Sequence, residues 1–176
     1  MEIQMALHLP RDAVSVPVSR QVLDRCLETL GVTPDTRGDI ALALSEACAN
    51  VIQHAGPGEE YEVRVSTGDC RCAIEVVNTG SQDGEPLSPD ANGAGDIPDS
   101  WRSGAARPDR FAVADEPITT MAESGRGLQI IDAVVDNLQL TGNKRQGTTL
   151  HFDKKLEWLP GAPGQHLFSG GGASRG

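Results

Sequence analysis

The apolar residues of this chain change their spacing from segment to segment, and that change of period most restricts the fold. From Glu2 to Leu9 they alternate, with Ile3, Met5, Leu7 and Leu9 on one side, the period of a half-buried strand. From about Pro17 the spacing becomes helical, carried by Val18, Val22, Cys26, Leu27 and Leu30 and stopped by Gly31. Thr33 and Pro34 open a second helix, a cap followed by proline at the first helical position. Its apolar face is Ile40, Leu44, Ala47, Cys48, Val51 and Ile52, and "HAGPG" from His54 ends it. Alternation returns over Glu60–Ser66 and Cys70–Asn78, with Gly68-Asp69 read as the hairpin turn. A third helix is expected from Ser124 as its cap, with Leu128, Ile131, Val134, Val135 and Leu138 on one face. Two last strands, about Asn137–Thr141 and Gly147–Lys155, follow. The order β-α-α-β-β-loop-α-β-β predicts an α/β fold, a two-layer sandwich with helices on one face of one sheet.

Two stretches break the pattern. From Ser81 to about Glu123 the chain is rich in proline and glycine and poor in apolar residues, so 81–123 reads as a lid or a disordered insert. After Trp158, "LPGAPGQHLFSGGGASRG" shows no period, which predicts a domain over 1–158 and a flexible tail over 159–176. The 176 residues suffice for one core. No apolar run approaches the roughly 20 residues of a membrane span, and Met1 leads into Glu2 rather than an export signal. A net charge of -10 argues against holding nucleic acid, which needs Lys and Arg for the phosphates. Four cysteines without paired metal spacing fit a reducing compartment, so a soluble cytoplasmic protein is expected. Cys26, Cys48, Cys70 and Cys72 read as packing residues, and His8, His151 and His166 have no ligand-spaced partner for zinc. Trp101 and Phe111, isolated in the insert, suit either a lid anchor or packing on the domain.

The second helix carries the chemistry. Glu46, Asn50 and His54 are spaced i, i+4, i+8 and line one stripe away from Ile40, Leu44 and Cys48. A wet helix face gives such a stripe too, but a carboxylate can take a proton, and an amide oxygen one turn away can ligate Mg²⁺. In "ESGRGLQII", Gly125 and Gly127 would let backbone approach an anion at the start of a helix; a capped tight turn is the simpler alternative. "VVNTG" at Val76–Gly80 and "GTTLHF" at Gly147–Phe152 are, taken singly, a strand exit and a strand start.

In this order the four segments resemble the boxes of the GHKL ATPase superfamily. "DIALALSEACANVIQHA" (Asp39–Ala55) is similar to its N-box, "VVNTG" to its first glycine box, "SGRGL" to its second and "GTTL" to its third. The wording "SEACANVIQHA" and the short chain bring it nearest to the branch of bacterial anti-sigma factors that are also serine kinases. The resemblance covers roughly Leu7–Lys155. It implies the Bergerat (histidine-kinase-like ATPase) fold with a mixed sheet, and ATP and Mg²⁺ as cofactors. Glu46 would be the general base and Asn50 the Mg²⁺ ligand. Asn78 and Gly80 would belong to the base-binding box; Gly125, Arg126, Gly127 and Leu128 would cradle the phosphates; Thr148 would reach the adenine end. Arg20 stands where the family has a partner-contacting arginine; a solvated Arg is the plain alternative.

One departure bears on activity. The family's first glycine box carries an aspartate that accepts a hydrogen bond from the adenine amino group, and here that position is Asn78. An uncharged amide oxygen forms a weaker bond, by on the order of 1–2 kcal/mol. The resemblance therefore implies an anti-sigma factor in stress-response transcription. It would sequester a sigma factor and, with Mg-ATP, phosphorylate an anti-anti-sigma (STAS-type) antagonist on Ser or Thr. It would act as a homodimer without touching nucleic acid or membrane. The alternative is a sigma-binding module with a degenerate nucleotide site. A fragment of a histidine-kinase pathway fits less well, since no phosphoacceptor helix pair is apparent.

Overall fold

The computed structural model describes residues 2–54, 60–68, 70–78, 121–143 and 147–169. In chain order these form β1 (Ile3–Pro10), α1 (Ser15–Leu30), α2 (Pro34–His54), β2 (Glu60–Gly68), β3 (Arg71–Asn78), α3 (Met121–Val134), β4 (Asn137–Asn143), β5 (Gly147–Lys155) and α4 (Pro163–Ser169). The strands make a five-stranded sheet in the order β1-β2-β3-β5-β4. The expected α/β sandwich stands, but the sheet is antiparallel at every pairing rather than mixed. The cause is topological. β3, α3 and β4 form a βαβ unit whose strands run in the same direction, and β5 inserts between them, so no parallel neighbours remain.

One face of the sheet is apolar. Tyr61, Val63 and Val65 on β2 and Cys72, Ile74 and Val76 on β3 are buried in alternation, and Leu150 and Phe152 of β5 are buried on the same face. They pack under Leu23 and Leu27 of α1, Ile40, Leu44, Ala47 and Cys48 of α2, and Ile131 of α3. Tyr61 is buried to 1 % exposure, and its hydroxyl lies 2.7 Å from Ser15 Oγ. Ser15 donates its own proton to the Asp12 carbonyl, so Tyr61 is the donor to Ser15. The opposite face is polar. Ala6, Arg64, Glu75, His151 and Gln139 stand in register across the five strands. The ring of His151 lies 3.5 Å from the Glu75 carboxylate. His151, with help from Arg64, holds the Glu75 carboxyl below its ordinary range.

Local signals account for the element ends, with four corrections. α1 stops at Gly31, whose φ of 82° lets its N–H and that of Val32 bond back to the Glu28 and Leu27 carbonyls. The turn between β2 and β3 is not Gly68-Asp69: Gly68 pairs with Arg71, and Cys70 takes the positive φ of 61°. α1 begins at Ser15 rather than near Pro17, because the Asp12 side chain and carbonyl hold the first turn. α3 begins at Met121, so Ser124 lies inside the helix instead of capping it; Met, Ala and Glu before it are strong helix formers. Finally, part of the stretch read as a flexible tail is α4, with Pro163 at its first position. Phe168 is buried and stacks on Trp158 with ring centroids 5.8 Å apart. Residues 170–176, and the insert between Asn78 and Met121 with Trp101 and Phe111, lie outside the described residues.

Candidate functional site

One end of the sheet gathers the residues singled out above. There Pro10 pairs with Glu60, Asn78 with Thr148, and Asn143 with Gly147. The C-terminal end of α2 reaches the same place, because Arg11, next to Pro10, donates to the Val51 and Ile52 carbonyls at 2.9 and 3.1 Å. Both carbonyls belong to the last turn of α2, so the guanidinium caps the helix and sets its charge against the negative end of the helix dipole. Nothing local in the sequence signals this role: donor and acceptors are 40 and 41 residues apart.

Glu46 and Asn50 stand one turn apart on α2, and both are half-buried. They do not form a wet face, since α3 packs against them through Gly127. A Cβ placed on Gly127 would lie 3.1 Å from Glu46 Oε2 and 3.2 and 3.3 Å from Asn50 Oδ1 and Nδ2. A side chain at this position would press on the carboxylate and the amide, which would have to give by a few tenths of an ångström. Asn50 Nδ2 is buried with no hydrogen-bond partner among the described residues. The side chain of His54, third in the stripe, lies outside the described residues.

Asn78 closes β3 on the helix-facing side, in line with Cys72, Ile74 and Val76. It is 1 % exposed, and neither Oδ1 nor Nδ2 has a hydrogen-bond partner among the described residues. Buried amides are rarely left so, because an unmet donor and an unmet acceptor both cost free energy. Thr148 sits directly opposite on β5, half-buried.

The glycine-rich segment is placed differently from expectation. With α3 starting at Met121, Gly125 and Gly127 lie within the helix, so they do not stand at its free N–H end. Leu128 is buried at 8 % exposure and anchors α3 to the core, while Arg126 is exposed. Gly80 lies outside the described residues. Arg20 is exposed on α1, with no ion-pair partner among the described residues. Val14, the residue before this helix, and Val18 and Val22 within it are exposed, one turn apart.

The donor set suits a hard cation and a phosphate ester. Asn50 offers a neutral oxygen and Glu46 a carboxylate, and Mg²⁺ takes few protein oxygens when it also holds phosphates and water. The orphaned Asn50 and Asn78 amides are groups that a bound nucleotide would engage at its two ends. A divalent ion held at Asn50 would supply charge neutralisation for phosphoryl transfer.

Residues 9–154 match the family described as histidine kinase-like ATPase domain. Similar curated proteins include the serine-protein kinase RsbW of Bacillus mycoides (strain KBAB4), 23% identical over 156 residues, covering 88% of this chain and 86% of the relative. RsbW of Bacillus cereus (strain AH820) is 25% identical over the same length and coverage. Among solved structures, the RsbU and RsbW domains of a Mycobacterium tuberculosis protein superpose with a TM-score of 0.56 at 16% identity. That match covers 88% of this chain but 32% of the longer one, and it speaks for the fold alone.

Proposed function

This chain belongs to the family of histidine kinase-like ATPase domains, and from that premise we propose that it is an anti-sigma factor with Mg-ATP-dependent serine/threonine kinase activity. Its relatives named serine-protein kinase RsbW support the kinase reading. The observation that carries it is the convergence of Glu46, Asn50 and Gly127. In this reading Glu46 would take the proton from a serine or threonine hydroxyl of an anti-anti-sigma (STAS-type) antagonist as that oxygen attacks the γ-phosphorus, whose bond to the β,γ-bridging oxygen breaks and releases ADP. Asn50 holds Mg²⁺, Asn78 and Thr148 engage the base, and the Gly125–Leu128 segment lies along the phosphates. Packing of α3 on α2 leaves the carboxylate half-buried. The sigma factor and the antagonist would compete for a surface that includes Arg20 on exposed α1. The protein would act as a cytoplasmic homodimer in stress-response transcription. Among the described residues no helix is long and apolar enough to cross a membrane.

The test is transfer of labelled phosphate from Mg-ATP to STAS-domain proteins encoded in the same genome. Wild type should label one of them on Ser or Thr, and Glu46→Gln should not. Asn78 favours a second reading, a sigma-binding module with a degenerate nucleotide site. Retention of a sigma factor by wild type, with no labelling of any antagonist, would establish that reading instead.

A further inference from the structure

Asn78 presents an acceptor and a donor side by side in one plane, buried and unengaged by any described residue. The ligand chemistry that matches both at once is the edge of a planar heterocycle with adjacent donor and acceptor, as on a nucleobase. With no partner for either atom among the described residues, none of them fixes which of the two points in which direction. A half-turn about the Cβ–Cγ bond exchanges them at no cost in protein hydrogen bonds. Thr148, directly opposite, has a hydroxyl that rotates to donate or accept.

We propose that Asn78 makes this site accept 6-amino and 6-oxo purine nucleotides nearly alike, so that it selects the triphosphate rather than the base. The proposal rests on the nucleotide reading of the site given above. Toward a 6-amino purine, Oδ1 accepts from the exocyclic amine and Nδ2 donates to N1. Toward a 6-oxo purine the amide is turned over: Nδ2 donates to O6 and Oδ1 accepts from the N1 proton. A carboxylate at this position has no donor, so it can accept from a 6-amino group but faces the 6-oxo oxygen with like charge.

The experiment is calorimetric titration of the full chain with the magnesium salts of ATP and ITP, which differ at the 6-position and the N1 proton. Wild type, Asn78→Asp and Asn78→Leu are compared. Wild type should bind the two within about threefold of each other, the level expected when the same number of hydrogen bonds is made to each. Asn78→Asp should prefer ATP by on the order of tenfold, and Asn78→Leu should weaken both nucleotides by a similar factor of about ten or more. A wild type that binds ATP more than about tenfold tighter than ITP overturns the proposal while leaving the nucleotide site intact. An unchanged ratio in Asn78→Asp, or unchanged affinities in Asn78→Leu, overturns it as well. If folded wild type binds neither nucleotide, the nucleotide reading itself fails and the proposal with it.

Discussion

Gly127 of α3 faces Glu46 of α2 so closely that a Cβ on the glycine would stand 3.1 Å from the carboxylate oxygen Oε2. That distance is shorter than side chains ordinarily tolerate, so the glycine sets how near the two helices can come. It also separates two effects that usually travel together. An added methyl group would favour the helix and disfavour the site.

Gly127→Ala is therefore expected to hold or raise thermal stability, because alanine is favoured over glycine in a helix by about 1 kcal/mol. The same methyl group pushes on Glu46 and Asn50. Phosphoryl transfer or nucleotide binding should fall by on the order of tenfold to a hundredfold, since small displacements of positioned groups cost that much. A melting curve and a nucleotide titration on one preparation check both signs. A loss of stability with binding unchanged would refute the steric account.

Arg11→Met keeps the aliphatic stem and removes the guanidinium that caps α2 at the Val51 and Ile52 carbonyls. We expect a loss of about 1–2 kcal/mol. Amide hydrogen exchange should quicken at the C-terminal turn of α2, next to Asn50, while the rest of the core keeps its protection. Exchange that rises uniformly would argue for a general packing defect.

Gly164 and Gly38 make a contrasting pair. A Cβ on Gly164 would lie 2.2 Å from the Trp158 ring and 2.8 Å from the Leu30 carbonyl oxygen, whereas Gly38 has nothing within 4 Å. Gly164→Ala should displace α4 and cost about 1–3 kcal/mol, with a change in tryptophan fluorescence. Gly38→Ala, on an exposed position of α2, should gain about 0.5–1 kcal/mol. Equal melting temperatures for the two variants would contradict the docking of α4 on Trp158.

Glu75 gives a pH dependence with a definite sign. Its folded-state pKa lies below its ordinary value of 4.5, chiefly through His151. A depressed carboxylate stabilises the folded state above the unfolded value, and that contribution disappears as pH falls through the folded value. Wild type should lose stability on acidification below pH 4.5 more steeply than Glu75→Gln. Parallel acid-unfolding curves for the two would show that the His151–Glu75 pair contributes nothing.

Thiol chemistry should follow burial. Cys26 is exposed, whereas burial pushes the Cys72 thiol up to about 12 and raises that of Cys48. Only thiolates react quickly with disulfide reagents. In the native protein at neutral pH, Cys26 should be modified first, with Cys48 and Cys72 reacting on unfolding; early reaction of Cys72 would mean that the β3 face opens readily.

Much of the fold was legible in local spacing. β5 runs over Gly147–Lys155 as its alternation predicts, and the Gly31 stop and the Thr33-Pro34 start are where the residues put them. The resemblance carried by "SEACANVIQHA" and "SGRGL" is borne out by the family match over residues 9–154. The misses share a cause. α4 spans two turns, and its one buried i, i+4 pair is Gly164 and Phe168, so its apolar period contains a residue with no side chain to register. The antiparallel sheet depends on β5 entering between β3 and β4, a choice of neighbour that no single strand encodes.

The sequence by itself determined which segments become strands and helices, where most of them stop, and which residue types are available for acid–base and metal chemistry. Tertiary structure alone decided that Gly127 meets Glu46 and Asn50, that Thr148 faces Asn78, and that Arg11 caps α2. The physical reason is the range of the forces involved. Backbone propensity and apolar period act over a few residues, within one turn or one strand. Contacts between distant segments form only when burial of the shared core repays the entropy of closing the chain between them.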